Sequence, residues 1–90
     1  MAQFNPEQRM SIMRERLTNT LSPTILTIID DSHLHVGHAG AKDGASHFTL
    51  EIASPKFTNL SLIAQHRLIY EVLTDLIPQE IHALKIRIKF

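Results

Sequence analysis

The chain has 90 residues, 43% of them hydrophobic, with nine basic and nine acidic side chains that cancel at neutral pH. This length suits one domain, and the apolar share argues against disorder. Zero net charge leaves a weak external field, which lowers the expectation of non-specific nucleic-acid binding; the absence of cysteine excludes disulfides and any thiolate metal site built by this chain alone.

In chain order, Asn5-Pro6-Glu7-Gln8 reads as a helix start, with Asn5 as cap, Pro6 in the first turn and Gln8 at the capping-box position. Residues 1–5 are otherwise expected to form a flexible N-terminus to a single domain spanning 1–90. Met10, Met13, Leu17 and Leu21 follow at helical spacing, Arg9, Arg14, Glu15 and Arg16 occupy other faces, and Ser22-Pro23 stops the helix. Thr24 to Ile29 is rich in β-branched residues and predicts a strand ended by Asp30 and Asp31. Residues Ser32 to Ser46 hold all three glycines and three histidines, and predict a long loop. His47 to Ala53 alternates, with Phe48, Leu50 and Ile52 on one face and His47, Thr49 and Glu51 on the other. The two strands make a hairpin with an oversized connection.

Ser54 to Leu60 reads as a turn, and Ser61 to Leu76 as the second helix, with a buried stripe of Leu62, His66, Ile69, Tyr70 and Leu73. Pro78-Gln79-Glu80 predicts one short helical turn. His82 to Phe90 alternates again. Leu84, Ile86, Ile88 and Phe90 point one way and Lys85, Arg87 and Lys89 the other, and His82 has the parity of the apolar face. The expected class is α+β, in the order α-β-β-α-α-β, with helices packed on a three-stranded sheet. No run approaches the ~20 apolar residues that span a membrane. Residues Met1 to Gln8 lack an apolar stretch, so a cytoplasmic protein is expected.

Six histidines are the outstanding compositional feature. Neutral imidazole is a good ligand for iron, zinc and copper. His33, His35 and His38 cluster in the loop, where they are either ligands or solvated side chains. His82 opens a strand with inward parity, which suits either a packed core histidine or a ligand. His66 on the helical stripe reads as structural, and His47 beside the loop is open to either role. Lys85, Arg87 and Lys89 form the best basic stripe, for phosphate, for an acidic protein partner or simply for water. No nucleophile–base pair, nucleophile elbow or phosphate-binding loop is present, so no enzyme is expected.

The stretch His66-Arg67-Leu68-Ile69-Tyr70, followed by Ile81-His82-Ala83-Leu84, resembles the BolA family, whose helix carries R-H-R-x-V/I-Y and whose last strand starts V/I-H-A-L. Ser46-His47-Phe48 and the loop Gly37-His38-Ala39-Gly40 resemble its histidine-type members. The resemblance covers roughly residues 9 to 89. Gln65 stands where the family has the first arginine, and Asn59 where it has glycine. Asn59 tolerates positive φ, whereas neutral Gln65 weakens a nucleic-acid role.

The resemblance implies a fold similar to class II KH domains. It also implies a monothiol glutaredoxin partner and a [2Fe-2S] cluster shared with that glutaredoxin and glutathione. The ligands implied are His82 and His38, with His33, His35 and His47 as alternatives. No cofactor is expected in the isolated chain, which would be a monomer or weak homodimer without a membrane partner. The other role attributed to the family is DNA-binding regulation of morphology and stress genes. Here that role would use His66, Arg67, Lys85, Arg87 and Lys89.

Overall fold

The computed structural model describes residues 4–31 and 46–90, Ser46 through its backbone alone. Helix α1, Pro6–Leu21, begins at the expected capping box. The Gln8 amide donates to Asn5 Oδ1 at 2.8 Å, and the Asn5 amide donates to Gln8 Oε1 at 2.9 Å. Each side chain thus satisfies an amide that a helix start leaves without an intrahelical partner. The helix ends at Ser22, a left-handed residue (φ 45°) whose amide donates to the Thr18 carbonyl at 3.1 Å. Met13, Leu17 and Leu21 are fully buried, one per helical turn. Arg9 corrects the expectation that it faces elsewhere. It lies one turn before Met13 on the same buried row, with its Nε 3.0 Å from Oε1 of Glu80.

Three strands form one sheet in the order β1-β2-β3: β1 Ile25–Asp30, β2 Ser46–Ala53 and β3 Ile81–Ile88. The expected antiparallel pair is present, with Leu26 opposite Ile52 and Ile28 opposite Leu50. Strand β3 runs parallel to β2, with Phe48 opposite Leu84 and Leu50 opposite Ile86. A parallel neighbour cannot be reached by a tight turn, so residues 54–80 form a crossover.

The crossover opens with a 3-10 turn, Pro55–Phe57. Ser54 anchors it: its hydroxyl donates to the Leu21 carbonyl at 2.6 Å and accepts from the Lys56 amide at 3.1 Å. Asn59 has φ 66°, the left-handed conformation that asparagine tolerates better than most residues.

Helix α2, Leu62–Val72, is capped by Ser61, which accepts from the Ala64 amide at 3.1 Å. Its buried line is narrower than the expected stripe. Ile69 and Leu73 are fully buried, whereas Leu62 and Tyr70 are 60% and 42% exposed. The buried row runs through Ile69 and Leu73, with half-buried Gln65 one turn before them, and Leu62 and Tyr70 flank it.

The helix also ends before Leu76. Pro78 forces its predecessor Ile77 into extended geometry (φ −104°, ψ 131°), and the chain tightens into a 3-10 turn at Thr74–Leu76. That turn is the short helical element, and Pro78 to Glu80 form a non-helical turn after a cis Ile77–Pro78 peptide. Arg16 of α1 hydrogen-bonds the Asp75 carboxylate, and this contact holds the Asp75 carboxyl below its ordinary range.

The core lies between both helices and the sheet face that carries Phe48, Leu50 and Ile52. Its members are almost all aliphatic, so cohesion depends on close packing of branched side chains. The polar contribution is the Arg9–Glu80 pair, with side chains 5% and 7% exposed. Glu80 also accepts from the Phe4 amide at 3.2 Å. Replacing Glu80 by glutamine leaves a guanidinium in the interior without its countercharge. The expected loss is about 3–5 kcal/mol in urea denaturation, whereas Arg9→Met with Glu80→Leu recovers most of it.

Candidate metal centre

The parallel register sorts β2 and β3 into two faces. Phe48, Leu50 and Ile52 pair with Leu84, Ile86 and Ile88 on the inner face. His47, Thr49 and Glu51 pair with Ala83, Lys85 and Arg87 on the outer face, away from the helices. Strict alternation backward from Leu84 turns His82 inward and Ile81 outward. The structure reverses both. Ser46 pairs with Ile81 and His47 with Ala83, so His82 is an extra residue in β3, a β-bulge. Ile81 is 1% exposed and His82 is exposed. The driving force is burial of an aliphatic side chain in preference to an imidazole, which has hydrogen bonds to lose. The inward parity expected for His82 is therefore corrected.

The sequence carried a sign of this shift. Ile81 is out of phase with Leu84, Ile86 and Ile88, and a spacing of three in an alternating strand marks one inserted residue.

The bulge brings His82 beside His47. Their ring centroids are 5.1 Å apart, with the planes inclined at 51°. Each ring sits at the start of a strand whose end is fixed. The Asp31 amide donates to the His47 carbonyl at 2.8 Å, and the Thr49 hydroxyl donates to the Asp31 carboxylate. On the other strand, buried Glu80 and Ile81 directly precede His82. His33, His35 and His38 lie outside the described residues. Among the described residues no group of three or more His, Cys, Asp or Glu is placed to hold a metal ion. Among the described residues the two imidazoles brought into contact are those of His47 and His82.

The basic candidates do not share one face. Lys85 and Arg87 are exposed on the outer face, whereas His66 and Arg67 belong to α2, on the inner side. Arg87 and Lys89 approach the Glu51 carboxylate at 3.5 and 3.9 Å, which offsets part of their charge. Gln65 turns inward, and its side-chain amide donates to the Leu60 carbonyl at 2.9 Å. A groove of about 470 Å³ lies beside it, lined by Phe57, Leu60, Gln65, Ile88 and Phe90 among others and by no histidine. It opens where β2 and β3 end, and the two imidazoles stand where those strands begin.

A family model described as BolA-like protein matches residues 17–90. The chain belongs to the BolA-like family. It is 42% identical over 83 residues to the chloroplastic protein BOLA1 of Arabidopsis thaliana, an alignment that takes in 89% of this chain and 52% of that protein. It therefore spans about half the length of that relative. A solved structure, the BolA domain of SufE1 from Arabidopsis thaliana, superposes with a TM-score of 0.79 at 41% identity, over 96% of this chain and 94% of that one. The chain is also 32% identical over 75 residues to the DNA-binding transcriptional regulator BolA of Vibrio cholerae, covering 83% of this chain and 68% of the regulator. Among the described residues no helix is long and apolar enough to cross a membrane.

The bulge makes a measurable distinction between two adjacent residues. His82→Ala, at an exposed position, should change stability by no more than about 0.5 kcal/mol. Ile81→Ala, in the core, should cost about 2–5 kcal/mol. Strict alternation predicts the opposite ranking, and thermal or denaturant unfolding of the two variants checks it.

Proposed function

We propose that this BolA-like protein is a binding adaptor that shares a [2Fe-2S] cluster with a monothiol glutaredoxin. It would act in iron–sulfur cluster transfer or iron-linked regulation. The observation that carries this reading is the exposed His82 on the bulge of β3, an imidazole turned away from the core. A chain without cysteine joins such a cluster through imidazole, while the glutaredoxin and glutathione bring the thiolates. His82 is the fixed ligand, and His38 from the loop is the second, with His33 and His35 as its nearest competitors. Histidine in place of thiolate on one iron raises the reduction potential of such a cluster. The chain's own part is to hold an imidazole at a set position and to bind, with no catalytic step assigned to it. Mixing the chain with a monothiol glutaredoxin, iron, sulfide and glutathione should give visible absorption and circular dichroism bands that neither protein shows alone. His82→Ala should alter those bands, and identical spectra from the variant overturn the ligand assignment.

A second reading, DNA-binding regulation, is favoured by the likeness to the Vibrio cholerae regulator and by the exposed Arg67, Lys85 and Arg87. Ranked against it are zero net charge and the carboxylate of Glu51 beside Arg87. Phosphate contacts release counterions, so this reading requires DNA affinity that falls steeply with salt and is lost in Arg87→Glu. Absence of a mobility shift at low salt removes it.

A further inference from the structure

We infer that His47 and His82 form a two-imidazole site for one divalent transition-metal ion of the Cu2+ or Zn2+ class, on the outer face of the sheet in the free chain. The two residues stand on adjacent strands, and the ladder between β2 and β3 fixes their backbones relative to each other. The spacing of the rings fits shared coordination. An ion about 2.0–2.1 Å from an imidazole nitrogen lies roughly 3.2 Å from the ring centroid, so two imidazoles on a tetrahedral ion have centroids about 5.2 Å apart. The observed separation is 5.1 Å, and the 51° inclination is not that of a parallel stack. Simple ring-to-ring packing also falls within this range of distances, and it makes a different prediction under metal titration.

The surroundings favour a nitrogen-binding ion over a hard oxygen-binding one. Two carboxylates of this sheet are already engaged: Asp31 accepts from the Thr49 hydroxyl, and Glu51 faces Arg87 and Lys89. Imidazole ligands suit copper, nickel and zinc and discriminate against magnesium and calcium. His82 is exposed and gives the ion its entry path, while His47 is half-buried and held by its strand. The remaining coordination positions face outward, to water or to a donor on a second molecule. The site shares His82 with the cluster reading, yet it requires neither the glutaredoxin nor the loop histidines.

The probe is Cu2+ added substoichiometrically to the full isotope-labelled chain and followed by NMR. Paramagnetic broadening should strike the ring signals of His47 and His82 and the amides from Ser46 to Phe48 and from Ile81 to Ala83. Broadening confined to residues 32–45, with those signals still sharp, overturns the site; so does the unshifted pair that mere ring packing predicts. In Zn2+ calorimetry His47→Asn and His82→Asn should each weaken binding roughly tenfold or more, since loss of even an orienting partner costs that much. The triple variant His33→Asn, His35→Asn, His38→Asn should bind as the unaltered chain does, and abolition of binding in it also overturns the site. Failure of cluster assembly with the glutaredoxin, beside an intact Cu2+ response, removes the cluster reading alone.

Discussion

Arg9 and Glu80 lie 71 positions apart in the chain and meet in the interior, with the guanidinium Nε 3.0 Å from the carboxylate. A buried charge tolerates little displacement from its partner, because neither has water to fall back on. The pair therefore pins the first turn of α1 to the residue that precedes β3. Ile81 follows immediately and fills the core, so the next side chain, His82, is turned outward. The bulge that results is the point at which global packing decides local direction. The outward orientation of the His82 imidazole thus follows from the packing around an interior salt bridge.

Features written in neighbouring residues were legible from the amino-acid sequence. Asn5 and Gln8 cap each other across one helical turn, and Phe48, Leu50 and Ile52 alternate without interruption; both patterns survive in the structure because they satisfy the backbone and the core locally. Asn59 likewise adopts the positive φ that its side chain tolerates. What was hidden depends on distant partners. Arg9 looks like any helix-surface arginine until Glu80 is placed against it. Tyr70 and Leu62 satisfy a helical period but lie just outside the row that the sheet covers. His82 obeys a strand period that the structure interrupts. The BolA resemblance singles out His82 by its motif, and the packing of Ile81 sets the direction of that side chain.

The division of labour within the candidate centre follows the same logic. His47 and His82 come from the two strands that make the parallel pair, so their relative position is a property of the sheet. The groove lined by Gln65 and Phe90 lies at the other end of those strands, separate from the histidines. Charge is distributed with comparable economy. Glu51 on the central strand faces Arg87 and Lys89, which offsets part of the basic charge at that end of the outer face.

The parallel pairing of β2 with β3 also makes the imidazole pair a gauge of completed folding. α1 and the antiparallel pair β1–β2 are assembled from the first part of the chain, and neither places His82. The two rings meet only after the whole crossover, α2 included, has docked and β3 has closed on the far side of β2. That is the pairing with the greatest loop-closure entropy to overcome. A chain stalled before that step has a core in part but no paired donors, so it offers a metal ion nothing to bind across the sheet. Metal capture at this position is thereby restricted to molecules that have already finished folding.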